Sequence, residues 1–100
     1  MTQHALYVQL EAKPGKEEEV AAFLSGARSM VAEEPDTTAW FALRMGPRMF
    51  GIFDAFTTER GRDAHLQGKV AKQLMAKAPQ LFANQPEIQR VDIIADKLPH

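Results

Sequence analysis

The first part of the chain alternates apolar and polar side chains, which is the period of a β-strand that is buried on one face. The alternation covers His4 to Ala12, and Pro14-Gly15 ends it. From Lys16 to Glu33 apolar residues recur at steps of three and four, and this spacing predicts an amphipathic helix. Pro35 cannot continue that helix, so the helix is expected to end before it.

Two more strands, a helical segment and a last strand follow along the chain. Thr37 to Met45 and Met49 to Phe56 have strand-like patterns and are separated by a Gly-Pro turn, so they predict a β-hairpin. Glu59 to Phe82 has a helical pattern that Gly68 interrupts, which predicts a short helix followed by a longer one. Glu87 to Ala95 alternates again and predicts the final strand.

This order of elements predicts a ferredoxin-like α+β fold, in which a βαββαβ chain forms a four-stranded antiparallel sheet. Right-handed crossovers place the helices on one face of that sheet. A chain of 100 residues is long enough for one hydrophobic core and too short for two. Residues 1–100 are therefore expected to form a single domain.

The predicted hairpin is apolar on both of its faces. In its first strand Trp40 and Ala42 alternate with Phe41 and Leu43, and its second strand has the same two-sided pattern. An antiparallel sheet with one solvated face should carry polar side chains on that face. Because these positions are apolar, we expect a homodimer in which two identical sheets pack together.

Composition and charge exclude several classes of partner. The net charge is -1, and neither half of the chain has the basic surplus that binds phosphate backbones, so no nucleic acid is expected. No apolar run approaches membrane-spanning length and no leader pattern is present, so no membrane partner is expected. The chain has no Cys, and a cytoplasmic location is expected.

The short motifs that bind phosphates, dinucleotides or zinc are absent from the sequence. With no Cys and only three His, neither a metal nor another cofactor is expected. Asp54 and Asp92 are carboxylates on predicted strands, and both are assigned to positions that face solvent. Neither is expected to take part in acid-base chemistry.

His65 is the one side chain in mid-chain that titrates near neutral pH. On one unbroken helix it would share the polar side with Arg62 and Lys72. If Gly68 breaks the helix, the imidazole could instead point under the sheet. Both alternatives remain open on the residues alone.

Four segments together resemble the antibiotic biosynthesis monooxygenase family: LYVQLEAKPGKEEEVAAFL, MFGIFDAF, GRDAHLQGKVAKQLMAKAP and PEIQRVDII. The resemblance covers nearly the whole chain. It implies a ferredoxin-like protomer, a dimeric α/β barrel formed by two sheets, and a hydrophobic pocket between the sheet and the helices. Several members of this family oxidise quinols, anthrones or other polycyclic phenols with O2, without metal, flavin or haem.

The resemblance also implies roles for individual residues. His65 matches the Ala-His-Leu histidine of many relatives and Trp40 matches a strand tryptophan of some, so both are expected to be catalytic. The characterised anthrone oxidisers use an asparagine as well, whereas the only Asn of this chain is Asn84. The expected substrate contacts come from the residues themselves and not from the resemblance. Tyr7 and Arg44 are expected to stabilise a phenolate, and Met49 and Phe53 to sandwich its planar ring together with Trp40.

The expected function is therefore the cofactor-independent oxidation of a quinol, anthrone or related aromatic substrate with O2. Two alternatives remain open. One is a non-enzymatic dimeric barrel that binds a small apolar or aromatic ligand. The other is an isomerase or cyclase on the same fold, which would need a pocket and a base but no O2.

Overall fold

A computed structural model of the chain describes residues 4–99. The predicted order of elements is confirmed, with the helical segment divided in two. The bounds of the elements are as follows: β1 His4–Glu11, α1 Glu17–Val31, β2 Thr37–Arg44, β3 Met49–Phe56, α2 Glu59–Leu66, α3 Lys69–Leu81 and β4 Glu87–Asp92.

The four strands form one antiparallel sheet in the order β2-β3-β1-β4. The two central strands, β1 and β3, pair along their whole lengths, from His4 opposite Phe56 to Glu11 opposite Met49. β2 and β4 are the edge strands. This sheet with its three helices confirms the ferredoxin-like α+β fold.

Alternation along the strands determines which side chains meet the helices. Val8 and Leu10 of β1 pair with Ile52 and Phe50 of β3, and all four are almost completely buried. They form the main core with Leu24 of α1 and with apolar residues of α3. Each such side chain stabilises the fold by about 1.5–3 kcal/mol relative to an exposed one.

Two element ends differ from the prediction by more than one residue. α1 ends at Val31 rather than Glu33. The backbone N–H of Glu33 bonds three residues back to Met30 rather than four, and Pro35 has no N–H with which to continue the helix. β4 ends at Asp92 rather than Ala95, and the register pairs Asp92 with His4. Residues 93–95 have no strand partner among residues 4–99.

The sheet face away from the core side chains is apolar along β2 and β3. Phe41 is 50% exposed there, and Leu43, Met49 and Phe53 are partly exposed in the same alternation phase. Tyr7 lies opposite Phe53 and its hydroxyl donates to the sulfur of Met45 at 3.7 Å. We call the set Tyr7, Phe41, Leu43, Met45, Met49 and Phe53 the open face. Among residues 4–99 no helix is both long enough and apolar enough to span a bilayer.

Candidate functional site

A buried histidine lies between two carboxylates at the junction of the helices and the sheet. Nδ1 of His65 is 2.5 Å from Oε1 of Glu34, and Nε2 is 2.9 Å from Oδ2 of Asp54. A carboxylate can only accept hydrogen bonds when ionised, so a protonated imidazole donates to both partners. We call Glu34, His65 and Asp54 the carboxylate–histidine cluster.

The short helix α2 positions His65 in this cluster. The hydroxyl of Thr58 caps the helix by accepting from the backbone N–H of Gly61 at 3.0 Å. The helix ends before Gly68, where a Cβ would lie 3.3 Å from the carbonyl oxygen of His65 and 3.4 Å from Oε2 of Glu34. The absence of a side chain at Gly68 thus allows α2 to end close to Glu34.

The break at Gly68 decides between the two alternatives for His65. The imidazole points under the sheet, where its side chain is 7% exposed. Its ring is tilted against that of Phe56, with 5.2 Å between the ring centres. The alternative in which His65 lies on a solvated helix face is wrong.

Asp54 enters the cluster from β3, on the same face as Ile52 and Phe56. It is 2% exposed, so the expectation that it faces solvent is wrong. Its Oδ1 is buried and has no hydrogen-bond partner in the described part of the chain. Leaving a buried oxygen unpaired costs about 1–3 kcal/mol.

Glu34 is the member of the cluster nearest to solvent. It follows α1, and its side chain is 22% exposed. Its Oε1 also accepts a hydrogen bond from the hydroxyl of Thr37 at 2.8 Å. Oε2 has no hydrogen-bond partner among residues 4–99, so one oxygen of this carboxylate is free to bind a ligand.

Burial and the neighbouring charges shift the pKa values within the cluster. Burial alone would lower the pKa of His65, but hydrogen bonds to Asp54 and Glu34 together outweigh it and raise the pKa above 6.5. Burial raises the pKa of Asp54 above 3.8, and the hydrogen bond and positive charge of His65 only partly oppose this rise. His65 is therefore protonated over a wider pH range than a free histidine.

Two cavities adjoin the cluster. An open cleft of about 340 Å³ lies between the end of α1 and α2, and it is lined by His65, Glu34, Met30 and Ala64 among others. A cavity of about 30 Å³ lies beneath the helices, against Asp54 and His65 and otherwise apolar side chains. Only the open cleft has the size of a small-molecule site.

The remaining predicted site residues do not share the cleft of His65. Trp40 lies on the helix side of the sheet, directly opposite Asp54 on the neighbouring strand, but it lines a separate groove of about 470 Å³ together with Arg44. Tyr7, Met49 and Phe53 lie on the open face, on the other side of the sheet. A planar ring therefore cannot be stacked between Trp40 and Phe53, as the sandwich arrangement would require.

Sequence reasoning missed two members of the cluster, Asp54 and Glu34. The signal for Asp54 was its phase, because it alternates with Phe50, Ile52 and Phe56, which are the buried side chains of β3. Glu34 gave only a weak signal, since a negative charge near the C-terminal end of a helix is unfavourable. Among residues 4–99 no group of three or more His, Asp or Glu side chains is arranged to hold a metal ion.

We expect the unfolding free energy of the protein to fall as the pH rises above about 6.5. The folded state binds the His65 proton more tightly than the unfolded state, so this stabilisation is complete below the unfolded pKa and is lost as the pH passes the folded pKa. Urea unfolding at about pH 6 and about pH 9 measures the effect. The loss should be absent in His65→Leu, and an equal loss in that variant would show that another group causes it.

Comparison with solved structures places the chain beside proteins of the same architecture. It is 52% identical to a protein of unknown function from Nitrosomonas europaea, with a TM-score of 0.97 over 100% of this chain and 97% of that chain. The chain belongs to the family of this Nitrosomonas protein. Neither a protein-family model nor a curated protein matches it.

The same fold occurs in structures that are named as candidate antibiotic biosynthesis monooxygenases. One, from Nitrosomonas europaea, is 15% identical with a TM-score of 0.81, over 92% of this chain and 90% of that chain. Another, from Caulobacter crescentus, is 16% identical with a TM-score of 0.80, over 94% of this chain and 92% of that chain. At this level of identity the likeness shows the fold, and it confirms the resemblance found in the sequence.

Proposed function

We propose that the protein is a cofactor-independent oxygenase that removes a proton from an aromatic phenol or anthrone and lets the resulting anion react with O2. The observation that carries the proposal is the carboxylate–histidine cluster, whose Glu34 and His65 line a cleft large enough for an aromatic substrate. The likeness of the fold to candidate monooxygenases supports the choice of reaction, by analogy.

Glu34 is the group that would touch the substrate. Its Oε1 is fixed by His65 and Thr37, which leaves Oε2 to accept the proton. Both ring nitrogens of His65 are already engaged, so His65 acts as a positioning residue that orients Glu34. This role differs from the expectation that the imidazole itself is the base.

The charge of the cluster suits it to take one proton. With His65 protonated and both carboxylates ionised, the cluster carries one net negative charge, and the substrate proton neutralises it. The site must stabilise the anion of a phenol, whose pKa is about 10 in water, for this proton transfer to proceed.

The oxidation step balances with O2 as the only co-substrate. In anthrone the methylene carbon loses its two hydrogens, one oxygen atom becomes the new carbonyl group, and the other oxygen leaves as water. The two C–H bonds are oxidised and O2 is reduced by four electrons. The contribution of the protein is to form the electron-rich anion and to exclude water around it.

Oxygen uptake with anthrone as the substrate tests this function. We expect uptake above the rate of spontaneous oxidation, with one O2 consumed per anthraquinone formed and no hydrogen peroxide released. Glu34→Gln keeps the shape of the side chain and its contacts but cannot accept the proton, so we expect at least a tenfold lower turnover rate, in the range of a lost general base.

The matched control is Glu17→Gln, the same substitution in the first turn of α1 and outside the cleft. It should turn over like the wild type. Uptake no faster than in the blank, or equal rates for Glu34→Gln and the wild type, would contradict the proposal. Product formation without O2 would instead indicate an isomerase or cyclase.

One observation favours a second candidate function, a binding protein without turnover. Neither nitrogen of His65 is free to exchange a proton with a ligand, since Glu34 and Asp54 occupy both. In that case the cluster would only recognise a phenolic hydroxyl through Glu34. Anthrone binding by calorimetry, with no oxygen uptake above the blank, is the result that this candidate predicts.

We also propose that a second copy of the chain covers the open face. Phe41 and Met45 are each about half exposed there, and the other side chains of β2 and β3 that belong to the open face are also apolar. In a dimer with twofold symmetry, the open face of one protomer packs against the open face of the other, so one interface covers both faces. Support comes from the apolar character of the face itself, because a solvated sheet face is normally polar.

A further inference from the structure

A second concave surface lies between α1 and the edge strand β2, away from the carboxylate–histidine cluster. Its volume is about 470 Å³, which is larger than that of the cleft. Leu24 and Phe50 lie beneath it and are each 2% exposed, so the accessible part of its floor is formed by Trp40 and Ala42. Ala42 belongs to the helix-facing phase of β2 and is nevertheless exposed, because α1 does not cover this part of the strand. We call this surface the β2 groove.

One face of α1 forms the wall of the groove and ends in a free cation. Ala21, Leu24, Ser25 and Arg28 recur at helical spacing along that wall. Arg28 is exposed, and its guanidinium makes no hydrogen bond or ion pair to residues 4–99. From Ala21 to Arg28 the wall is about 10 Å long, at 1.5 Å per residue.

A second guanidinium lies at the opposite end of the groove and is fixed in place. Nη2 of Arg44 donates to the Glu18 carboxylate at 3.2 Å and to the carbonyl of Pro47 at 3.1 Å. The guanidinium lies 4.9 Å from the centre of the Phe50 ring. No acidic residue of the described range 4–99 lines the groove, so Arg28 has no partner there.

The β2 groove differs from the cleft at the cluster in the sign of its charge. The cleft is lined by three carboxylates, Glu33, Glu34 and Asp36, against Lys69 and the protonated His65, whereas the charged side chains of the groove are Arg28 and Arg44. Two concave surfaces of opposite charge are suited to different ligands. A negatively charged apolar molecule would be repelled by the cleft and attracted by the groove.

We propose that the β2 groove binds an apolar carboxylate, with the carboxylate at Arg28 and the hydrocarbon chain along Trp40 and Ala42. An arginine fork matches the geometry of a carboxylate and can bind it through two hydrogen bonds. The apolar floor accounts for the rest of the ligand, and its length fits a medium-length chain. The proposal does not depend on the oxidation chemistry of the cleft.

The fluorescence of Trp40 provides a local probe for this proposal. Trp40 is the only tryptophan of the chain and lines the groove, so binding there should change its emission. We expect sodium decanoate to give a saturable change. Decanol, the uncharged analogue of the same length, should bind at least tenfold more weakly.

Two pairs of variants locate the site. Arg28→Gln should weaken decanoate binding at least fivefold, whereas Arg60→Gln, an exposed arginine of α2 outside the groove, should leave it unchanged. Ala42→Glu places a carboxylate in the groove and should weaken binding at least tenfold, whereas Ala22→Glu, an exposed position of α1 outside the groove, should not. Equal affinity for decanoate and decanol, no response to decanoate, or wild-type affinity in Arg28→Gln would overturn the proposal.

Discussion

Replacing His65 with Leu is expected to lower the unfolding free energy by about 3–5 kcal/mol, the usual cost of removing one partner of a buried ion pair. Leucine has a similar volume, so the main effect is electrostatic. Asp54 would remain 2% exposed without its only hydrogen-bonding side chain. Because a domain of this size has a total stability of about 5–15 kcal/mol, the loss should be evident in urea unfolding at neutral pH.

A double substitution separates the lost charge pair from lost packing. In Asp54→Leu/His65→Leu no carboxylate is left buried without a partner, and an apolar replacement of a buried pair is often neutral or stabilising. We therefore expect the double variant to be more stable than His65→Leu alone. If the double variant is less stable by the sum of the two single losses, the pair does not interact as described.

The single variant His65→Leu also tests the proposed chemistry. Without His65, Oε1 of Glu34 keeps only the hydroxyl of Thr37 as a partner, so the carboxylate loses its fixed orientation. Oxygen uptake with anthrone should fall at least tenfold in His65→Leu. His65→Gln keeps a hydrogen-bond donor near Glu34 and should retain more activity than His65→Leu, a difference that lost stability alone would not produce.

The fold could be predicted from the sequence because each element has a clear hydrophobic period and clear ends. The alternation in β1 and β3 identifies the side chains that meet the helices, and Pro35 and Gly68 mark two helix ends. These are local signals, and they determine the order of the elements. The order in turn leaves few topologies for a chain of this length.

The candidate site was only partly predictable because its members come from distant parts of the chain. The contact between Glu34 and His65 joins residues 31 positions apart, and nothing in the local sequence around Glu34 indicates it. Asp54 alternates in step with the buried side chains of β3, and this position does predict that Asp54 is buried. The only argument against burial was the general preference of carboxylates for solvent. Alternation also separates Trp40 from Met49 and Phe53, which lie on opposite faces of the sheet.

Replacing Phe41 with Asp is expected to dissociate the proposed homodimer. By symmetry, the substitution places a carboxylate on both sides of one interface. The binding free energy from apolar burial falls by about 1.5–3 kcal/mol for each fully buried side chain that is replaced. The two unpaired charges weaken binding further. A total of about 4 kcal/mol or more would weaken association at least a thousandfold.

Analytical ultracentrifugation of the wild type and the variant measures this effect. The wild type should sediment at twice the 11.2 kDa protomer mass at micromolar concentration, and Phe41→Asp at the protomer mass. Met75→Asp is the matched control, because Met75 of α3 is 41% exposed, close to the 50% of Phe41, but belongs to the helices rather than to the open face. A wild-type particle of 11.2 kDa would show that the open face is not covered by a second copy. Equal dissociation in Met75→Asp would show that the interface is not specific to the open face.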